Sequence, residues 1–396
     1  MSQGTLLRLP DFRMLWLARS ISCLGDSMAL VGLLLHLESA AGSALAVSLL
    51  LVAGDCVPGL LAPITGAIAD RLPLKVTLVG CELVQAVLVL ALAALPPLPI
   101  LLGLAAALGV MAGIIGPAAR RAVPLVVSDS DLERANSFIG VGTYGIEAIG
   151  PVVAAGLLLI TDVKGLLIVD AVTFVASALL LTRFTVSSTP SRGEQHLLSQ
   201  ARAGLGHVWR TPLLRQVAVG FLLVVSFTAV DDVALVFLAK DELGTTDATA
   251  SLLYAGAGIG ILLGFLALAR FGSRWAALPV LIAGLAVSSL GNLLTGLAWA
   301  AAAALAFQTM RGLGIAAIDL GLTLHVQRTV PGNLQGRTFG ILYGGAGLAA
   351  GIAYLLGGVL LHQTDARITF MVAGTGGLLA TMVTAVTLRR AAQRDS

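Results

Sequence analysis

The sequence predicts an all-α membrane protein of about twelve transmembrane helices in two pseudo-symmetric six-helix bundles. Three observations carry this: composition, a train of apolar runs of spanning length, and internal repetition about one polar stretch. Of 396 residues, 57% are apolar and 11% charged, with a mean hydropathy of +0.96, far from the composition of soluble domains. At roughly 20 apolar residues per crossing plus short connections, the length accommodates about twelve spans. A water-soluble fold, a disordered chain, a disulfide-stapled secreted module and a nucleic-acid-binding domain are excluded together. The basic excess, 24 Lys plus Arg against 21 Asp plus Glu, reports orientation in such a chain rather than a polyanionic partner. Cys23, Cys56 and Cys81 all lie in apolar stretches, where cysteine packs as a small residue.

Arg8, Asp11 and Arg13 precede a first apolar run, 14–38, that is interrupted at Asp26 and lacks a small-residue cleavage site, so it reads as a retained helix and not a signal peptide. Runs at 44–69, 76–95, 100–119, 136–160 and 165–183 complete a first set of six. The polar stretch Thr185 to Thr211, rich in Ser, Arg, Gln and His, reads as a cytoplasmic linker. Runs at 213–239, 250–269, 276–297, 299–324, 338–361 and 367–388 form a second set. The division is therefore 1–184 for one bundle, 185–212 for the linker and 213–396 for the other. With the N-terminus inside, the inner segments and helix ends collect Arg71, Lys75, Arg120, Arg121, Arg328, Arg389 and Arg390 among many others, while the outer side holds only Lys164, Lys240 and Arg367. This bias places both termini in the cytoplasm and supports an even helix count, because one missed helix would invert every later loop.

The two sets repeat one another. Asp26 to Val31 recurs as Asp231 to Val236, 205 residues on; Arg121 to Pro124 recurs as Arg328 to Pro331, 207 on; and Pro10 to Arg13 precedes the first run as Pro212 to Arg215 opens the seventh. Such repeats organise transporter folds around a midplane site.

Charge inside hydrocarbon is costly, so ionisable residues within the runs are the candidate functional groups. Asp26, Asp55, Glu82, Glu147, Asp170, Asp231, Asp232 and Asp319 face one deeply placed cation, Arg311. A carboxylate in a dry cavity can take up a proton near neutral pH and release it when water or a cation arrives, which is the chemistry of proton coupling. The candidate coupling set is Asp26, Asp231, Glu147, Asp232, Asp55 and Arg311. Arg19, Ser22 and Asp26 fall on one polar stripe of the first helix, and the repeat of Asp26 at Asp231 favours function over a plain interhelical hydrogen bond. For Glu147, coupling and packing both fit. Asp170 and the Asp231–Asp232 pair lie nearer the outer ends, where partial hydration is expected. Glu82 reads as the partner of a cytoplasmic arginine. Arg311 needs a carboxylate from another helix, Asp231 or Asp232 being nearest in the same half, and a structural clamp and a coupling role both fit it.

Tyr144 and Tyr343 each directly precede a glycine in the fifth and eleventh runs; with Phe227 and Tyr254 they are candidate substrate-binding rings, since tyrosine offers an amphiphile both an apolar face and a hydroxyl. The histidines are scattered, no metal-ligand cluster is expected, and no Ser, His and acid grouping suggests an enzyme. Glycine is concentrated in the fifth, eighth and eleventh runs, where it allows close helix approach.

The segment Gly66-Ala-Ile-Ala-Asp70-Arg71-Leu-Pro-Leu-Lys75 resembles the cytoplasmic signature loop of the major facilitator superfamily, with Gly66, Asp70, Arg71 and Lys75 matching and Pro73 and Leu74 departing. Arg270, Gly272 and Arg274 resemble a decayed second copy. Gly145 and Gly150-Pro151, followed by Ala154, Ala155 and Gly156, are similar to the Gly-Pro motif of the family's drug:proton antiporters. Phe12 with Trp16, the run Leu132 to Asn136 and the run Asp170 to Phe174 resemble the bacterial macrolide and enterobactin exporter branch. The resemblance implies alternating access, a gate formed by Gly66, Asp70, Arg71, Lys75, Gly150 and Pro151, and a place in the bacterial cytoplasmic membrane. The resulting expectation is a monomeric efflux protein, driven by the proton gradient without a cofactor, that exports small cationic or neutral amphiphiles. Its partners are that substrate, protons and the lipid bilayer. A siderophore or lipid exporter, or an importer, of the same fold is the alternative; a sensor or scaffold is the alternative of another class.

Overall fold

A computed structural model describes residues 3–41, 43–61, 65, 68, 72–128, 135, 139, 146, 149–185, 205–206, 208–271, 276–330 and 332–392. Among these the secondary structure is helical, and eleven helices are long and apolar enough to cross a membrane. We label them α1 (Pro10–Ala41), α2 (Ala44–Leu61), α3 (Leu74–Ala93), α4 (Leu98–Val126), α6 (Val163–Thr182), α7 (Pro212–Glu242), α8 (Asp247–Phe271), α9 (Ala277–Gly296), α10 (Ala301–Thr329), α11 (Gly332–Gln363) and α12 (Ala366–Ala392), with α5 for the helical stretch 149–157. Every apolar run thus has its helix, although most of the fifth run and of the linker falls outside the described residues. The helices α4 and α10 run past their apolar runs because the arginines at their ends, Arg120, Arg121 and Arg328, are good helix formers.

Local signals set several boundaries. The Ser43 hydroxyl accepts from the Ala46 amide at the start of α2, the Asp162 carboxylate from Gly165 N–H at 3.0 Å at the start of α6, and Asp365 from Ile368 N–H at 2.7 Å at the start of α12. Proline occupies the first turn of α4 and of α7, where a missing N–H costs nothing. Gly244, at φ +58°, makes the turn between α7 and α8.

The exterior is more apolar than that of a soluble protein, and polar groups lie inside. Val87, Leu179 and Ile160 are 67%, 62% and 83% exposed, while Glu82, Asp170, Asp231, Asn292 and Gln308 are buried. An apolar exterior around polar interior groups is what a lipid solvent selects.

The chain divides into two compact units, residues 1–36 with 53–194 and residues 37–52 with 195–396. The first has a core of Phe12, Leu15, Leu78, Ile115 and Phe184; the second is built on Val217, Phe221, Leu281, Leu285 and Leu342. In the second unit α8 and α10 pack backbone to backbone: a Cβ on Gly260 would run into the Thr309 carbonyl, and one on Gly312 into that of Ala257.

The element register sharpens the repeat. Helices α3 and α9 begin at Leu74 and Ala277, α4 and α10 at Leu98 and Ala301, and α6 and α12 at Val163 and Ala366, each pair 203 residues apart. In this register Asp26 corresponds to Ala229 and Arg121 to Leu324, so the motif matches at 205 and 207 fall two and four residues out of step.

Candidate functional site: two charged clusters

In the second unit the site forms where α7 breaks. Its first segment ends at Thr228, a turn follows at Ala229–Val230, and helix resumes at Asp231. The junction is held by tight i to i+3 bonds, Asp232 N–H to Ala229 O at 3.3 Å and Val233 N–H to Val230 O at 3.0 Å. From α9 the Asn292 amide donates to the Thr228 carbonyl at 3.0 Å, and from α8 the Tyr254 hydroxyl donates to the Asp232 carbonyl at 3.0 Å. A discontinuous helix needs such partners, since each lost backbone bond inside an apolar medium must be replaced.

The break places one carboxyl on a cation and a second carboxyl next to it in sequence. Asp231 Oδ1 pairs with Arg311 Nη2 at 2.8 Å, their side chains 2% and 12% exposed. The Tyr354 hydroxyl donates to Asp232 Oδ2 at 3.2 Å. One turn before Arg311 on α10 sits Gln308, fully buried, its amide oxygen and nitrogen without a hydrogen-bond partner, as is Arg311 Nε. Two acids against one base leave the cluster one negative charge in excess when all three are ionised. Gln308 and Tyr354 were not singled out from the sequence; the i, i+3 spacing of Gln308 from Arg311 was the available signal.

The first unit holds a different cluster, between α1, α3 and α6. Arg19 Nη1 approaches Glu82 Oε1 at 3.8 Å, the ion pair expected from the sequence. Asp170 is 1% exposed, in place of the partial hydration expected near a helix end, because its carboxyl lies where α1 has Gly25 and a Cβ there would strike Oδ1. Its Oδ1 accepts from Thr173 at 3.2 Å. Asp26, one residue from this contact, is exposed.

The other candidates scatter. Tyr343, 44% exposed on α11, donates a short hydrogen bond to Asp319 Oδ1 of α10 and stacks on Phe339 with ring centres 6.2 Å apart. Phe227 is 37% exposed and lies against Gly376. Tyr254 has its hydroxyl committed to the α7 break. Asp55 is exposed in a π-helical turn, Val52–Cys56, of α2. Of the gate residues, Lys75 is exposed at the start of α3, and Gly150 and Pro151 are buried in α5, with Ser27 of α1 against Gly150. Gly66, Asp70, Arg71, Tyr144 and Glu147 lie outside the described residues.

Known proteins share this architecture. The chain is 24% identical over 392 residues to the MFS-type transporter YfiS of Bacillus subtilis (strain 168), covering 93% of this chain and 91% of that protein. Among solved structures it superposes on a mutant of the nucleoside transporter NupG with a TM-score of 0.81 at 10% identity, covering 95% and 99% of the two chains. A POT family transporter in complex with 5-aminolevulinic acid gives 0.77 at 14% identity, covering 96% of each chain, and a bacterial homologue of the lysosomal transporter Spinster gives 0.71 at 13% identity, covering 99% and 96%. At such identities these likenesses speak to the fold alone. The Major Facilitator Superfamily model matches residues 15–240 and 232–396, nearly the whole chain, and the protein belongs to that superfamily of transporters.

Proposed function

We propose that this transporter exports small cationic or neutral amphiphiles by exchange for protons, with the Asp231, Asp232 and Arg311 cluster as the exchange site. The carrying observation is the buried 2.8 Å pair of Asp231 and Arg311 at the α7 break, with Asp232 beside it. Arg311 holds Asp231, because releasing either charge into an apolar interior costs about 3–5 kcal/mol. Asp232, held by one tyrosine hydroxyl and half-buried, is then the carboxyl free to exchange. Protonated, it leaves the cluster neutral; deprotonated, it leaves one negative charge that a cation or the positive end of an amphiphile neutralises. Proton and substrate compete for that charge, and competition at one site under alternating access yields exchange. The Tyr343 and Asp319 pair supports the substrate class, since an aromatic face beside a carboxylate suits a lipophilic cation.

The arginine and lysine distribution supports a multi-pass protein of the bacterial cytoplasmic membrane with both termini inside. We read it as a monomer, with Asp26, Glu147 and Asp55 as further coupling candidates and Gly66, Asp70, Arg71 and Lys75 as the inner gate. The test is proton flux in proteoliposomes of defined orientation, challenged with a lipophilic cation, a neutral macrolide and a catecholate siderophore. Proton movement opposite to the cation or the macrolide supports the reading; flux with the siderophore alone, or movement in the same direction, overturns it.

A further inference from the structure

Glu82 lies at the centre of a buried polar seam that the exchange site does not use. Both of its carboxyl oxygens are buried without a hydrogen-bond partner, and Arg19 at 3.8 Å is its ionic neighbour. The hydroxyls of Ser22 on α1 and Ser177 on α6, both fully buried, face this carboxyl. Gln85, one turn along α3 on the same face, has a buried, unpartnered amide oxygen. On α6 the stripe Asp170, Thr173 and Ser177 keeps one face and runs about 10 Å from Asp170 to Ser177. Asp170 Oδ2 is a further buried oxygen without a partner.

Three helices thus converge their polar faces, and the convergence is not needed for packing. In the 203-residue register Glu82 corresponds to Leu285 and Asp170 to Ala373, both buried, and Ser177 corresponds to Ala380. At these three positions the second unit is apolar, and Leu285 and Ala380 belong to its core. Replacing Leu and Ala by two acids costs several kcal/mol unless the charges are balanced. The charged groups facing the two acids are Arg19 and Asp26 from α1, and each acid faces the other across α3 and α6. Arg19 balances one carboxylate; the other requires a positive charge, and among the described residues no second cation faces it. Among the described residues no three acidic, His or Cys side chains converge as a cation cage would need. A proton needs no cage, only an acid whose hydroxyl can reach an acceptor, and the unfilled oxygens of Ser22, Gln85, Ser177 and Asp170 are such acceptors.

We infer that the seam is a second proton-binding site, in which one proton is held as a carboxylic acid on either Glu82 or Asp170, with Asp26 at its exposed end as the point of exchange with water. Nothing in this requires the exchange site in the second unit. The site binds and releases a proton without covalent chemistry: the proton moves between a carboxyl oxygen of the seam and Asp26.

Infrared difference spectroscopy of the purified full-length protein tests it by the C=O stretch of a protonated carboxyl, which shifts on transfer to heavy water. The wild type at neutral pH is expected to show such a band, and Glu82→Gln or Asp170→Asn to remove it. Ser177→Ala, which keeps both acids but changes the acid's hydrogen bonding, is expected to shift it; this variant carries the test if the others do not yield folded protein. Absence of the band in the wild type, or a band unchanged in all the folded variants, overturns the inference. Asp232→Asn removes only the contribution of its own carboxyl and is expected to keep the component that Glu82→Gln and Asp170→Asn abolish, so a failure of proton exchange at Asp232 is distinguishable from a failure here.

Discussion

Arg311 and Asp231 illustrate how one residue fixes the options of another. A guanidinium within a spanning helix must find a carboxylate, and Asp231 supplies it at 2.8 Å from a second helix. The pair contributes little relative to apolar residues of the same volume, but breaking it strands a charge. Arg311→Gln alone is therefore expected to destabilise by about 3–5 kcal/mol, and Asp231→Asn with Arg311→Gln by less than the sum of the two single changes. A double-mutant cycle on thermal unfolding in detergent measures this; additive effects would contradict the pairing. The pairing was legible beforehand, because Asp231 and Asp232 were the nearest acids in the same half. The burial of Asp170 was not, since depth along a helix says nothing about which neighbour its face meets, and that neighbour is Gly25.

The helices are the scale at which sequence and structure agree most closely, because a run of apolar residues as long as a bilayer is thick has few alternatives to a spanning helix. The break in α7 escaped notice for a physical reason: Ala229 and Val230 carry no turn chemistry, and the interruption is held from outside by Asn292 and Tyr254. Asn292→Leu strands the Thr228 carbonyl and is expected to cost about 1–3 kcal/mol, read as a lowered unfolding midpoint with reduced transport; an unchanged midpoint would remove Asn292 from this role. The contact of α8 with α10 gives a sharper contrast. Gly260→Val drives a side chain into the Thr309 carbonyl and is expected to cost roughly 1–3 kcal/mol or more, whereas Gly344→Ala on α11, where a Cβ meets nothing within 4 Å, is expected to be neutral or to stabilise by up to about 1 kcal/mol. Equal unfolding midpoints for the two variants would contradict the packing described.

Across the whole molecule the repeat holds in its helices and differs in its chemistry. Three helix pairs keep a 203-residue register, yet the charges lie at different positions: Asp231 corresponds to Met28, Arg311 to Leu108 and Glu82 to Leu285. The two halves thus share a scaffold while each carries its own ionisable cluster, which is why motif matching located both halves but set Asp26 and Asp231 two residues out of step. With Asp232 proposed as the group at which proton and substrate compete, the most direct measurement is proton release from the detergent-solubilised protein when a lipophilic cation is added. The wild type is expected to release protons, and Asp232→Asn to release none while still folding and retaining the Asp231–Arg311 pair. Undiminished release from Asp232→Asn would contradict the account.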